Sequence, residues 1–139
     1  VIMKILDNLD KGLPPVVYGD GSQAYDFINA VDCARANVCA MKAESTDAFY
    51  NVGTGKRTTI KELAELLLEI TGSNLKTQYE PEGKTFVKNR IGCPVKAEKE
   101  IGFKAILPLQ EGLEQLIHWR KTHKDEVVRL RRQQAGMNE

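Results

Sequence analysis

Two adjacent prolines, Pro14 and Pro15, followed by "VVYGDGS", restrict this chain more than any other stretch. Proline fixes φ, lacks an amide donor and pushes its predecessor out of the helical region, so no helix runs through this point. The opening "VIMKILDNLDKG", with Ile2, Ile5, Leu6 and Leu9 on one stripe, is therefore a helix that must end before it, with Gly12 as its stop. "VVY" enters extended and is predicted to be a strand. The Gly-Asp-Gly that follows reverses the chain, because glycines flanking an aspartate reach positive φ at little cost.

Beyond the turn, helical and extended signals alternate. "YDFIN" is expected to be a second short strand. "DCARANVCAMKA" is expected to be a helix from Asp32, capped by that side chain and packed on more than one side because so much of it is small or apolar. "DAFYNVG" is expected to be a third strand over 48–52, with "GTGKR" as the loop after it. In "TTIKELAELLLEITG", Thr59 and Glu62 form a capping box, Ile60, Leu63, Ala64, Leu67 and Ile70 a buried stripe, and Gly72 the stop. "LKTQYEP" predicts an edge strand. "EGKTFVKNRIG" is polar, with an extended apolar centre at Phe86 and Val87. "PVKAEKEIGF" and "LPLQEGLEQLIHWRKTH" are helices begun by Pro94 and Pro108, the second turning Leu109, Leu113, Leu116 and Ile117 inward. The apolar stripe fades after Trp119. Four short strands and five helices result, an α/β chain without the long β-branched strands of a complete doubly wound sheet.

Twenty basic and nineteen acidic residues give a formal net charge of +1, which offers no bulk attraction for nucleic acid or a membrane surface. The basic "RLRRQQ" reads as a solvated helix face. Cys33, Cys39 and Cys93 are odd in number and lack C-x-x-C spacing, so a reducing, cytoplasmic setting is expected, with Cys33 and Cys39 as packing residues. No apolar run approaches the ~18 residues of a membrane span. The chain opens without Met and already inside a helix, which suggests truncation.

Catalytic signals are sparse. "GDGS" and "GTGK" lack the G-x-G-x-x-G spacing of a dinucleotide loop, and "GTGKRTT" lacks the first glycine of a phosphate loop. His118 and His123 have no acid or thiol placed to complete a metal site and are expected on the surface, with Trp119 as a core plug. Ser22 has no histidine beside it. No catalytic, cofactor-binding or metal-binding residue is therefore expected.

Three segments in register nevertheless carry a resemblance: "PPVVYGDGSQAYDFINAVDCARANVCAM", "FYNVGTGKRTTIKELAELL" and "KAEKEIGFKAILPLQEGLEQLIHW". Over residues 1–123 the chain resembles the C-terminal third of the extended short-chain dehydrogenases/reductases, the NAD-dependent nucleotide-sugar epimerases and dehydratases typified by UDP-glucose 4-epimerase. The resemblance implies a small mixed α+β substrate-binding lobe whose Rossmann lobe is missing, with 124–139 as a helical or disordered tail. NAD and the family's Tyr-x-x-x-Lys pair would belong to that missing N-terminal lobe. Here Tyr18, Tyr25, Tyr50 and Tyr79 are followed four residues later by Ser22, Asn29, Thr54 and Gly83. The whole protein would be a homodimeric epimerase or dehydratase acting on a UDP-sugar. This piece would be inactive, would bind no NAD, and would expose apolar surface at 32–43 and 48–52. The alternative is a free-standing nucleotide-sugar-binding module or a non-catalytic remnant.

By the same resemblance, Val16 and Tyr18 face the uracil, and Ile60 packs on the ribose or base. Tyr25 stands just before Asp26, where relatives place an arginine against the diphosphate, and a hydroxyl supplies no charge there. Lys84 occupies a place where Asp is common, and Cys93 another. Arg90, with Lys84 and Lys88 nearby, is the candidate to restore the positive charge.

Overall fold

The computed structural model describes residues 1–82 and 87–134, so Lys84 and Phe86 lie outside the described residues. The first helix, α1 (Ile2–Asp10), leads through Pro14 and Pro15 into β1 (Val16–Tyr18). β1 pairs in parallel with β4 (Gln78–Glu80), Val16 opposite Gln78 and Tyr18 opposite Glu80. A second sheet has β2 (Ala24–Tyr25) at its centre, antiparallel to β3 (Thr58–Thr59) and parallel to β5 (Asn89–Arg90). The remaining helices are α2 (Ala30–Lys42), α3 (Ile60–Thr71), α4 (Val95–Ile101), α5 (Leu109–Thr122) and α6 (Lys124–Gln134). Among the described residues this makes five short strands and six helices, and no helix is long and apolar enough to cross a membrane.

The most strongly signalled helix is also the hub. The Thr59 hydroxyl accepts from Glu62 N at 3.0 Å while the Glu62 carboxylate accepts from Thr59 N at 2.7 Å, so both halves of the capping box form. Gly72 ends α3 in the left-handed region, φ 65°, where a Cβ would be strained. Between these signals Leu63, Ala64 and Leu67 are fully buried against Ile5, Leu6, Val17, Leu113 and Ile117, which joins α1, β1, α3 and α5 in the main core. A smaller core gathers Ala36, Ala97, Ile101 and Phe103 where α2 meets α4.

Several expectations need correction. Residues 48–52 form no strand: the segment lacks a neighbouring strand among the described residues, and without one its backbone groups cannot form a ladder. Phe49 is 91% exposed there. β2 stops at Tyr25, where both its partners are only two residues long; beyond it the Asp26 side chain engages the loop at Thr54, and Asn29 caps the helix that follows. α2 starts at Ala30, not Asp32, because the Asn29 side chain accepts the free N–H of Val31 at 2.8 Å. Asp32 is turned away into the interior. α2 is covered on one side only: Ala36 is buried, while Val31, Val38 and Met41 are exposed.

Trp119 is half-buried rather than a core plug, and its indole stacks on the exposed His123 ring with centroids 5.0 Å apart. The chain after His123 forms α6, which buries Val127, and its Arg131 is ion-paired to α1, so "RLRRQQ" is not simply a solvated face.

Candidate functional site

The period of two along β1 decides what faces where. Val17 is buried in the core, and Val16 and Tyr18 alternate with it on the more exposed side, over a groove wall to which Val17 also contributes. There they join Tyr25 and Ile60 in lining a concave groove of about 910 Å³ between α1, β1, β2 and the start of α3. Four of the six residues expected at a ligand site thus meet in one wall. Arg90 stands on β5, directly opposite Tyr25 in the parallel pairing, and its exposed side chain forms no ion pair or hydrogen bond among the described residues. Lys84 lies outside the described residues.

Gln23 is a groove residue with no expected role, although it sits in the quoted "GDGSQ". It is 6% exposed, and its side-chain Nε2 donates to the Tyr18 carbonyl at 3.0 Å while its backbone carbonyl accepts from Ile60 N at 2.9 Å. One residue therefore holds the strand that carries Tyr18 and the helix start that carries Ile60 at a set spacing. Its Oε1 is buried without a partner among the described residues. A buried amide beside a predicted turn would have been the sequence signal for it.

Asp26 organises the other end of the groove. Its carboxylate accepts from Thr54 N at 3.0 Å, from the Thr54 hydroxyl at 2.5 Å and from Gly55 N at 2.9 Å, which folds the "GTG" loop around it. Those amides are spent on Asp26, and β3 intervenes before α3, so the loop offers no cradle for a dinucleotide phosphate at a helix start. A Cβ on Gly53 would run into Asp26 Oδ2, well inside contact distance. Gly53→Ala is therefore expected to cost about 2 kcal/mol, as overpacking against fixed atoms does. Urea unfolding checks this, and the same change in an Asp26→Ala background should cost clearly less, because the obstructing carboxylate is gone.

Asp7 closes the groove on the α1 side. Burial works to raise its pKa, but hydrogen bonds from Arg120 and Arg131, with their charges, outweigh it and hold the carboxyl below the ordinary range. Among the described residues no group of three His, Cys, Asp or Glu side chains is placed to hold a metal ion. The groove offers apolar walls and a tyrosine hydroxyl, with both cations (Lys4, Lys11) and acids (Asp7, Asp26, Glu80) among its lining side chains.

The short-stranded α/β unit that carries this groove is similar to solved nucleotide-sugar epimerases. It superposes on the UDP-glucose 4-epimerase of Thermotoga maritima, solved with UDP-glucose, with a TM-score of 0.80 and 32% identity over 87% of this chain and 39% of that one. The UDP-N-acetylglucosamine 4-epimerase of Methanobrevibacter ruminantium, solved with UDP-N-acetylmuramic acid, gives a TM-score of 0.81 at 28% identity, covering 88% of this chain and 39% of that one. In sequence, a putative UDP-glucose 4-epimerase of Methanocaldococcus jannaschii is 30% identical over 125 residues, 88% of this chain. Residues 1–53 match the NAD dependent epimerase/dehydratase family. The chain is thus similar to members of that family over most of its own length, in keeping with the resemblance carried by its three motif segments. It spans 39% of the length of the Methanocaldococcus relative, about two fifths.

Proposed function

We propose that this chain is the substrate-gripping portion of an NAD-dependent nucleotide-sugar epimerase or dehydratase, holding a UDP-sugar by its nucleotide. The observation that carries this is the convergence of Val16, Tyr18, Tyr25 and Ile60 on one groove, although they are spread over more than forty residues of sequence. Val16 and Tyr18 supply a flat, half-apolar wall for the uracil, and Ile60 an apolar contact for the ribose or base. Tyr25 and its neighbour Arg90 face the diphosphate, with Arg90 providing the charge that a phenol lacks.

In this proposal the binding unit spans residues 1–123, and a companion Rossmann lobe supplies NAD and the acid/base tyrosine. The exposed apolar side chains Val31, Val38, Met41 and Phe49, together with the backbone of 48–52, which pairs with no strand among the described residues, suit contact with that lobe. By itself the chain should neither bind NAD nor turn over UDP-glucose.

Calorimetric titration with UDP and with uridine tests the grip. UDP is expected to bind. Arg90→Ala should weaken UDP about tenfold, the scale of one charge-assisted contact, while changing uridine affinity little. Tyr18→Ala should weaken both. A chain that is folded but binds no UDP at millimolar concentration would overturn the proposal and favour a non-catalytic remnant.

A further inference from the structure

The groove carries an electrostatic conflict that its own walls do not resolve. Its lining side chains include Lys4 and Lys11 but also Asp7, Asp26 and Glu80, a balance that disfavours an anion. Asp26 is occupied by three donors from the "GTG" loop. Asp7 is answered from outside the groove. Arg120 of α5, itself 6% exposed, donates from Nη2 to Asp7 Oδ1 at 2.8 Å and to Asp10 Oδ2 at 2.6 Å. Arg131 of α6 reaches the same two carboxylates, donating from Nε to Asp7 Oδ1 at 3.0 Å and from Nη2 to Asp7 Oδ1 and to Asp10 Oδ2. Two guanidiniums against two carboxylates make the quartet neutral.

We infer that Arg131, from a helix that contributes no residue to the groove's lining among the described residues, is a remote affinity determinant for the diphosphate: it completes the neutralisation of Asp7, an acid on the groove wall. This rests on the proposal that the groove holds a nucleotide. A cavity of about 910 Å³ is on the order of 10 Å across, so an anion in it lies within about a screening length of Asp7 at physiological salt. Removing one guanidinium leaves the quartet at a net charge of −1. The lowered Asp7 pKa and raised Arg131 pKa agree with a tightly paired cluster. In the Arg131 case burial works downward and the bonds and charges of Asp7 and Asp10 outweigh it. Arg131 is a positioning residue, since it acts through Asp7.

The test uses the 139-residue chain, with UDP and the phosphate-free uridine titrated at low ionic strength. Arg131→Met should weaken UDP about three- to tenfold and leave uridine within twofold, because only UDP carries the charge. Asp7→Asn/Arg131→Met should recover most of the UDP affinity, since the quartet is neutral again. Asp7→Asn alone, which keeps α6 and both arginines, should bind UDP as well as or better than the unaltered chain. A loss of UDP and uridine affinity to the same degree in Arg131→Met would assign Arg131 a merely structural role and overturn the inference. So would a weaker Asp7→Asn, or unchanged UDP binding in Arg131→Met. Failure of the unaltered chain to bind UDP would overturn the groove proposal and this inference together, whereas the variant outcomes strike the inference alone.

Discussion

Replacing Phe103 by Ala is expected to remove about 4 kcal/mol of folding stability and to lower the melting temperature by roughly 10–15 °C. The side chain is fully buried and is the largest member of the small core, whose other buried residues are Ala36, Ala97 and Ile101. Alanines cannot move in to fill the space, so nearly the whole ring volume would remain as a cavity. The neighbouring helices α2 and α4 meet at this core, so their packing should loosen as well. Phe103→Leu refills most of the volume and should restore at least half of the loss. Urea denaturation of the three proteins checks this, and a loss below about 1.5 kcal/mol in Phe103→Ala would mean that the small core contributes little.

The second large effect is expected at Asp32, which is 1% exposed. Its Oδ2 accepts from Ile106 N and Leu107 N, both at 3.0 Å, and its Oδ1 from Arg35 Nη1 at 2.5 Å. Asp32→Ala leaves two backbone donors without an acceptor and removes the Arg35 ion pair, leaving Arg35 Nη1 only the Lys104 carbonyl at 3.3 Å, and should cost about 3 kcal/mol. Burial works to raise the Asp32 pKa, but the Leu107 N–H, the Arg35 side chain and the Ile106 N–H outweigh it and hold it below the ordinary value. A carboxyl with a lower pKa folded than unfolded binds more protons in the unfolded state. Its stabilisation is thus present above the unfolded pKa and is lost as pH falls through the folded one, here below about pH 4. The unaltered chain should lose stability on that acid side, and Asp32→Ala should show a shallower loss, in denaturant titrations between pH 3 and pH 7. An equally steep acid limb in the variant would separate Asp32 from the pH dependence.

Asp32 also marks where sequence patterns stop being informative. An aspartate at the head of an Ala-rich run has the form of a helix cap, and the local pattern contains nothing against that role. Asn29 holds the position instead, because Asp32 is claimed by amides more than seventy residues away. Asp26 and Gln23 are similar: their partners at Thr54, Gly55 and Ile60 come close only after the chain has folded. The strand expected at 48–52 fails for a related reason. β-propensity reports fit to a pleated surface, and among the described residues no strand is there to receive it.

What the amino-acid order determined by itself is local. The Pro14-Pro15 break, the capping box at Thr59 and Glu62, the left-handed stop at Gly72 and the apolar stripe of α3 all depend on residues within a few positions of one another, and each appears where the pattern requires it. The alternation at β1 likewise committed Val16 and Tyr18 to one face. Tertiary structure alone decided that this face, Tyr25 and Ile60 would enclose a single groove, that Gln23 would set its spacing, and that arginines from α5 and α6 would quench an acid on its wall. Hydrogen bonds and ion pairs between distant segments are satisfied only when packing brings those segments together, so a linear pattern carries their donors and acceptors without naming their partners.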